Sequence, residues 1–399
     1  MNLTKKRPDQ LSAGNIILGV QFLFVAFGAT VLVPLLVGID PAVALFSAGI
    51  GTLIFHLITK GMVPVFLGSS FAFIAPVIES TRLFGLPGTF SGIIAVGLIY
   101  ATVAGLVKWK GLGFIQRLFP PVVVGPVIMT IGLSLAGTAI DMAKTNWTIA
   151  VISLMTAITV VVFSKGMIKL IPIFIGIVCG YITGLILGVV DFTAISRAEW
   201  FSLPDFTAPK FNWGAILYLI PVAVAPVIEH VGDMYAIGGI AEKNFIEKPG
   251  LHRTLLGDGI ATSIAGCLGS VPNTTYSEVT GAISLTRVTN PFILRISAVT
   301  AIVFSLVGKI SGFLKTIPQS VLGGIMLLLF GLIASVGIKT LIESKINMSE
   351  VRNQVIVSLI LTVGVGGAVI SWGNFSLAGI GLAAVVGIVL NLLLPAKSE

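Results

Sequence analysis

Three carboxylic acids lie inside apolar stretches of this 399-residue chain. Glu229 and Asp233 occur in VAPVIEHVGDMYAIGG, and Glu278 occurs in LGSVPNTTYSEVTGAISL. The spacing of four residues puts Glu229 and Asp233 on one face of a helix. Neither stretch contains a Lys or Arg to neutralise these acids, although a charge in apolar surroundings is costly. Their types and positions therefore predict a buried site that exchanges protons or accepts hydrogen bonds.

Proton exchange suits acids that are crowded together. Low dielectric and neighbouring like charge both favour the neutral form of a carboxyl group, so it can take up a proton on one side of a membrane and release it on the other. We therefore interpret Asp233 and Glu229 as proton-coupling residues. The alternative is a structural hydrogen-bond network. The polar residues expected to support the site are Asn273, Thr274, Ser70 and His230.

Metal binding and enzyme activity are not predicted. A metal site needs His, Cys or carboxylate ligands at suitable spacing, and the sequence contains no such cluster. His230 follows Glu229 directly and therefore faces another side of the helix, where packing or hydrogen bonding is expected. The segment LGSSF has serines, but no Gly-x-Ser-Gly motif and no paired histidine. We expect no metal, no cofactor and no catalytic residue.

The composition places these acids in a membrane protein. Hydrophobic residues make up 56% of the chain and charged residues 10%, and the mean hydropathy is +1.07. Soluble proteins carry about 25% charged residues. Apolar runs recur along the whole length, and a spanning helix needs roughly 20 such residues. The polar, basic start MNLTKKRPDQ does not resemble a cleavable signal peptide.

The distribution of basic residues predicts the orientation. Membrane proteins collect Lys and Arg in cytoplasmic loops, so the net charge of +8 does not indicate a nucleic-acid partner. With fourteen spans and a cytoplasmic N-terminus, 18 of the 24 Lys and Arg residues fall on the cytoplasmic side. Both termini are therefore expected inside. The expected spans begin near residues 15, 42, 63, 90, 119, 146, 168, 214, 252, 270, 293, 318, 354 and 374.

An internal repeat is indicated by short matches about half a chain apart. The pairs are GIGT (49–52) with GIAT (259–262), LGS (67–69) with LGS (268–270), and FPPVVVGPVIM (119–129) with IPQSVLGGIML (317–327). Seven spans is an odd number, so the second copy must enter the membrane from the opposite side. Inverted repeats of this kind are common in secondary transporters, with the substrate at the repeat interface.

Spans 3 and 10 are interrupted. Each begins with small and β-forming residues, VPVFLGSSFAFIAP and LGSVPNTTYSEVTG, before it becomes compatible with a helix. Extended backbone at membrane depth must be paired within protein or line a cavity. We expect two short antiparallel β-strands there, followed by helices whose N-termini favour acceptor atoms. The predicted fold is an all-α polytopic membrane protein of about fourteen segments in two inverted seven-span repeats.

Several motifs carry a family resemblance: FGATVLVPLL, LGSSFAFIAP, IEHVGD, PGLHRTLLGDGIAT, GSVPNTTYSE and GAISLTR. Together they resemble the nucleobase–ascorbate transporter family, also called nucleobase:cation symporter-2, and within it bacterial uracil permeases. The likeness runs from about residue 10 to residue 395. It implies a transporter in the cell inner membrane that imports a nucleobase, with uracil favoured, together with a proton.

The resemblance also implies two domains that move against each other. Spans 1–4 and 8–11 form a core domain that holds the substrate. Spans 5–7 and 12–14 form a gate domain, which is also the surface for a homodimer. The expected boundaries are residues 1–200 and 201–399 for the repeats, about 12–112 and 212–315 for the core, and about 113–200 and 316–396 for the gate.

The resemblance assigns the binding residues position by position. Glu229 aligns with the family's substrate-binding glutamate and Glu278 with its second binding carboxylate. Uracil carries two ring N–H donors and two carbonyl acceptors, so two carboxylates and nearby backbone N–H groups suit it, with an aromatic ring packed on its face. The other implied pocket residues are Phe71 and Ser277, each offering an N–H group, with Tyr276 and Ala29 as lining.

Two positions depart from the family pattern. Val279 stands where the signature has Asn, and Asp233 stands where some uracil carriers have a coupling His. Purine-selective members tend to have Gln at the position of Glu278, which favours uracil here. Xanthine, uric acid or another nucleobase stays open as the substrate. An anion carrier on the same fold and an ion channel are remote alternatives.

Overall fold

The protein is mostly helical in the computed structural model, which describes residues 12–111, 113, 117–166, 168–372 and 375–395. The helices of eight or more residues are α1 (Ala13–Val37), α2 (Pro41–Ile58), α3 (Ile74–Phe84), α4 (Leu86–Lys110), α5 (Pro121–Ser134), α6 (Ala136–Ala143), α7 (Trp147–Phe163), α8 (Pro172–Ile186), α9 (Val224–Ala241), α10 (Leu251–Leu268), α11 (Ser277–Thr286), α12 (Pro291–Ser305), α13 (Gly308–Lys315), α14 (Gln319–Glu343), α15 (Val351–Val365) and α16 (Gly379–Leu393). Shorter helical turns are Phe71–Phe73, Ile168–Leu170, Thr193–Arg197, Trp213–Leu219, Ile220–Ala223 and Ile246–Gly250. The strands are β1 (Leu67–Ser69), β2 (Asn273–Thr275), β3 (Val369–Trp372) and β4 (Phe375–Ala378).

Several helical segments are long and apolar enough to cross a membrane. In the described part of the chain, six segments meet this length: Ala13–Val37, Pro41–Ile58, Leu86–Lys110, Pro121–Ala143, Trp213–Ala241 and Gln319–Glu343. Five shorter apolar helices accompany them: α7, α8, α12, α15 and α16. Apolar helices in this number confirm the prediction of a multi-pass helical membrane protein.

The helices pack in two groups. In the first, α4 lies against α10, and α2 lies against α10 and α12. A Cβ on Gly97 of α4 would overlap the carbonyl oxygen of Gly259 in α10, so these helices approach as closely as glycine permits. In the second group, α14 packs on α5, α6 and α7, and α15 packs on α5 and α16. There a Cβ on Gly337 would overlap the carbonyl oxygen of Gly125.

The strands β1 and β2 pair antiparallel although more than 200 residues separate them in sequence. Leu67 lies opposite Thr275, and Ser69 lies opposite Asn273. The N–H of Ser70 continues the ladder to the carbonyl of Pro272 at 2.9 Å. This pairing satisfies backbone groups that lipid could not.

One of the three repeat matches is corrected by this pairing. The first LGS segment is β1, but the second contains the last residue of α10, Leu268, and the helix-ending Gly269 at φ 78°. The strand that pairs with β1 is Asn273–Thr275, which begins five residues after the second LGS segment begins. Gly, Leu and Ser are abundant in membrane helices, so a three-letter match can occur out of register.

Candidate functional site

The crossing of β1 and β2 is anchored by two threonines from the matching GIGT and GIAT motifs. Thr52 of α2 accepts a hydrogen bond from the N–H of Leu67 at 2.9 Å and donates to its carbonyl at 3.3 Å. Thr262 of α10 donates to the carbonyl of Asn273 at 2.8 Å. Each motif therefore holds the strand of its own half of the chain.

Tyr276 joins the two strands from the side. Its hydroxyl donates to the carbonyl of Ser69 at 2.9 Å and accepts from Thr30 of α1 at 3.3 Å. A Cβ on Gly68 would lie 2.6 Å from the Tyr276 ring, so only glycine fits at that position of β1. The side chain is 4% exposed. Tyr276, predicted to line the pocket, is thus held by hydrogen bonds to β1 and α1.

The three predicted acids gather around β2. Glu229 and Asp233 lie on α9, and Glu278 lies in the first turn of α11. Thr275 of β2 donates to Asp233 Oδ2 at 2.6 Å, and the Asp233 carboxyl is buried. Glu229 interacts electrostatically with both Asp233 and Glu278. Glu229 and Glu278 keep part of their surface accessible, so they border internal space.

Glu278 opens onto a cavity of about 160 Å³ between α1, α8 and α11. Its walls are apolar except for Glu278 and Lys169. Phe24 and Phe174 form one side, with ring centres 4.8 Å apart. A carboxylate bordering a small apolar cavity can accept hydrogen bonds from a flat, neutral ligand.

Phe71 lies where the first strand turns into helix. It is partly buried, and its ring meets that of Phe330 in α14 edge to face, with centres 6.3 Å apart. Phe330 belongs to the second helix group, so this contact joins the two groups beside the crossing. The side chains of two other predicted pocket residues, Ala29 and Ser277, lie outside the described residues.

The predicted supporting residues are close to the strands but do not form one network. Asn273 donates to Ser47 Oγ at 3.1 Å and to Ala261 O at 3.4 Å, tying β2 to α2 and α10. The hydroxyl oxygens of Ser70 and Thr274 are buried and have no hydrogen-bond partner among the described protein atoms. Two unbonded hydroxyls beside the crossing leave polar capacity for a ligand or water.

His230 points away from the other predicted residues and reveals an acid that the sequence reasoning missed. Its Nδ1 lies 3.0 Å from Oδ2 of Asp258 in α10, and both side chains are fully buried. The expectation of three acids inside apolar spans was therefore incomplete. The signal was present in LLGDGIAT, where Asp258 stands among apolar and small residues in the interior of α10. The Asp258 charge also acts on Glu229.

No group of three or more His, Cys, Asp or Glu side chains suited to a metal ion occurs in the part of the chain that the structure describes. The arrangement instead offers the carboxyl groups of Glu229, Asp233 and Glu278, the unbonded hydroxyls of Ser70 and Thr274, and a helix N-terminus after each of the two crossed strands. Such a site can hold a neutral ligand through its N–H groups and can take up a proton.

Solved structures with the same fold are transporters. The transmembrane domain of a cyanobacterial bicarbonate transporter, BicA, superposes with a TM-score of 0.64 at 15% identity, over 95% of this chain and 97% of that one. The murine anion transporter Slc26a9 in its inward-facing state gives a TM-score of 0.70 at 11% identity, over 98% and 69%. These likenesses concern the fold alone.

Sequence relatives are far more similar. A probable uracil permease of Pasteurella multocida is 52% identical over 97% of this chain and 95% of its own. The uracil permease of Bacillus caldolyticus is 44% identical over 98% and 94%, and that of Escherichia coli K12 is 41% identical over 97% and 92%. The model of the permease family matches residues 13–371. The chain is therefore a transporter and not an enzyme, and it belongs to this permease family, the nucleobase–ascorbate transporters.

Proposed function

We propose that this permease imports uracil together with a proton across the cell inner membrane. The observation that carries the proposal is the pair of deep, partly accessible carboxylates, Glu229 on α9 and Glu278 on α11, which interact beside the crossed strands. Several relatives of 40–52% identity are named uracil permeases, which favours the same substrate here.

Uracil recognition follows from complementary hydrogen bonding. Glu229 and Glu278 accept the two ring N–H donors, and backbone N–H groups at Phe71 and Ser277 meet the carbonyls. The Phe71 ring packs on the base. A ligand without those N–H donors would leave buried carboxylates unpaired, which is the strongest form of discrimination a pocket offers.

Proton coupling is assigned to Asp233 and Glu229. The Thr275 hydroxyl holds the Asp233 carboxyl next to β2, so proton uptake there changes the same strand that borders the substrate. A proton on this pair removes charge from a site that already contains several acids, which favours substrate entry. Proton and uracil then leave together on the inner side.

Alternating access is assigned to the two helix groups. We assign fourteen spans in two inverted seven-span repeats, with both termini cytoplasmic. The paired roles of Thr52 and Thr262 support the repeat, as do Pro120 and Pro318, each of which is the N-cap residue of a helix in the second group. The first group is the core, about 12–112 and 212–315, and the second is the gate, about 113–200 and 316–396. The core moves against the gate, and the gate forms the homodimer surface.

The test is uptake of labelled uracil into proteoliposomes, with and without an inward proton gradient. We expect the gradient to stimulate uptake, and Glu278→Gln to abolish it or shift it towards xanthine. Lys345→Gln, on an exposed cytoplasmic turn in the proposed topology, serves as the control and should transport normally. Absence of uracil uptake under either condition would contradict the assigned substrate.

Another pyrimidine is the second candidate. A putative pyrimidine permease of E. coli K12, RutG, is 39% identical over 96% of this chain. Competition of unlabelled thymine, cytosine, xanthine and uric acid against labelled uracil separates these substrates in the same vesicles. Stronger competition by another base than by unlabelled uracil would reassign the substrate.

A further inference from the structure

A basic cluster surrounds an exposed tryptophan at the end of α4. Lys108, Trp109 and Lys110 are the last three residues of this helix. Trp109 is 78% exposed, and the Lys110 ammonium lies 5.3 Å from the centre of its ring. The sequence contains no acidic residue between Glu79 and Asp141, so this stretch carries a net positive charge.

The start of α10 adds to the same cluster. Helices α4 and α10 run antiparallel, since the Ser263 hydroxyl donates to the carbonyl of Ile94 at 3.2 Å while Gly259 faces Gly97. The first turn of α10 therefore lies level with the last turn of α4. His252 interacts electrostatically with both Lys108 and Arg253. The ion pairs between described residues engage none of these three side chains.

The location of the cluster along α4 corresponds to the membrane surface. A helix of 25 residues is about 37 Å long, somewhat more than the hydrocarbon thickness, so its final turn lies among lipid headgroups. The other four tryptophans fall on the opposite side in the proposed topology. They are Trp147, Trp200, Trp213 and Trp372. Trp109 is thus the sole tryptophan of its side, and it is the one flanked by cations.

We propose that Lys108, Trp109, Lys110, His252 and Arg253, the KWK cluster, bind the headgroup of an anionic phospholipid. The cationic side chains pair with the phosphate, and the indole takes the interfacial level that tryptophan prefers. A soluble anion would match the charges but would gain nothing from the exposed indole. The cluster lies on helices of the first group, so the bound lipid contacts the domain that carries Glu229 and Glu278.

The experiment uses Trp109 as the reporter. The full chain is placed in bilayers of unlabelled phosphatidylcholine. Graded amounts of a lipid with brominated acyl chains are added, either phosphatidylglycerol or phosphatidylcholine. Bromine quenches the fluorescence of nearby tryptophans. Subtracting the signal of Trp109→Phe removes the contribution of the other four residues. We expect half-maximal quenching of Trp109 at a roughly 100-fold lower fraction of brominated phosphatidylglycerol than of brominated phosphatidylcholine, since each of the three cations, Lys108, Lys110 and Arg253, contributes about a fivefold preference near an anionic surface.

A charge-matched pair of variants tests the assignment. Lys108→Gln/Lys110→Gln/Arg253→Gln should lose most of the preference, and Lys165→Gln/Lys339→Gln/Lys345→Gln should keep it. Equal quenching of Trp109 by the two lipids, after subtraction of the Trp109→Phe signal, would overturn the proposal, and this result requires only that conservative variant to fold. Equal loss in both triple variants would also overturn it. Reversal of the preference by excess inorganic phosphate would show a free-anion site and contradict the lipid assignment.

Discussion

The two halves of the strand crossing share a backbone plan and differ in chemistry. In each, a three-residue strand leads into a short helix, and a threonine from the GIGT or GIAT motif holds the strand. The first half, β1 with α3, presents glycine, two serines and the Phe71 ring. The second half, β2 with α11, presents Asn273, Thr275, Tyr276 and Glu278.

The side-chain bonds follow this division. The second half sends hydrogen bonds outwards to α2 through Asn273, to α9 through Thr275 and to β1 through Tyr276. The first half accepts the bond from Tyr276 at the carbonyl of Ser69, and the Tyr276 ring packs against Gly68. The comparison teaches that two strands with similar backbone surroundings can differ in chemistry, since β2 and the helix after it carry the charge and most of the side chains that organise the site.

The largest expected effect is on uracil binding, from removing the charge of Glu278 on the second half. Glu278→Gln should weaken uracil binding about 100-fold, because it removes the negative charge opposite a ring N–H and replaces one of the two acceptor oxygens with an NH2 donor. Phe71→Leu should weaken it about fivefold, since it loses mainly an aromatic contact. Equilibrium binding to the purified protein measures both. Equal losses would mean that the two halves contribute alike.

The next largest effect is expected on stability, at the close contact between Gly68 of the first half and Tyr276 of the second. Gly68→Ala should destabilise the protein by about 2 kcal/mol, because the new methyl group meets the Tyr276 ring at 2.6 Å. Gly137→Ala in α6 is the matched control, since nothing lies within 4 Å of a Cβ there. Thermal unfolding in detergent compares them. A normal melting temperature for Gly68→Ala would show that the crossing can relax.

Loss of the hydrogen bond from Thr275 of β2 to Asp233 should reduce proton-driven uptake to an intermediate degree. Thr275→Val should slow proton-driven uptake about tenfold, because it removes a hydrogen bond to a carboxyl group, and Thr275→Ser should restore it. Ser69→Ala, its counterpart in β1, loses only a 3.3 Å bond to the carbonyl of Thr30 and should change uptake less than twofold. Initial rates in proteoliposomes decide this, and a larger effect at Ser69 would reverse the assigned roles.

The smallest expected difference is in stability, between variants of the two threonines that anchor the strands. Thr52→Val removes two hydrogen bonds to Leu67, and Thr262→Val removes one to Asn273. With about 1 kcal/mol per bond, Thr52→Val should be more destabilising by about 1 kcal/mol. Denaturation midpoints of the two variants, measured side by side, give this difference. The opposite order would indicate that β2 depends more on its anchor than the bond count implies.

Much of the secondary structure can be predicted from local sequence. Runs of apolar residues specify helices wherever backbone groups must be satisfied without water, which is why helices occupy the apolar segments expected from the sequence. Gly, Pro and β-forming residues marked the two interruptions, and the cost of charge in apolar surroundings singled out Glu229, Asp233 and Glu278.

Other features were decided only by the tertiary structure. The register that sets Ser69 opposite Asn273 joins residues far apart in sequence, and the LGS repeat match lies five residues before the strand that pairs with β1. The contact of Asp258 with His230 likewise joins two helices that no local pattern pairs. Helices that are apolar on every side carry no stripe to distinguish the face that packs on protein from the face that meets lipid. The sequence therefore determined which segments are helical and where the chain is polar, whereas three-dimensional packing decided which polar groups meet.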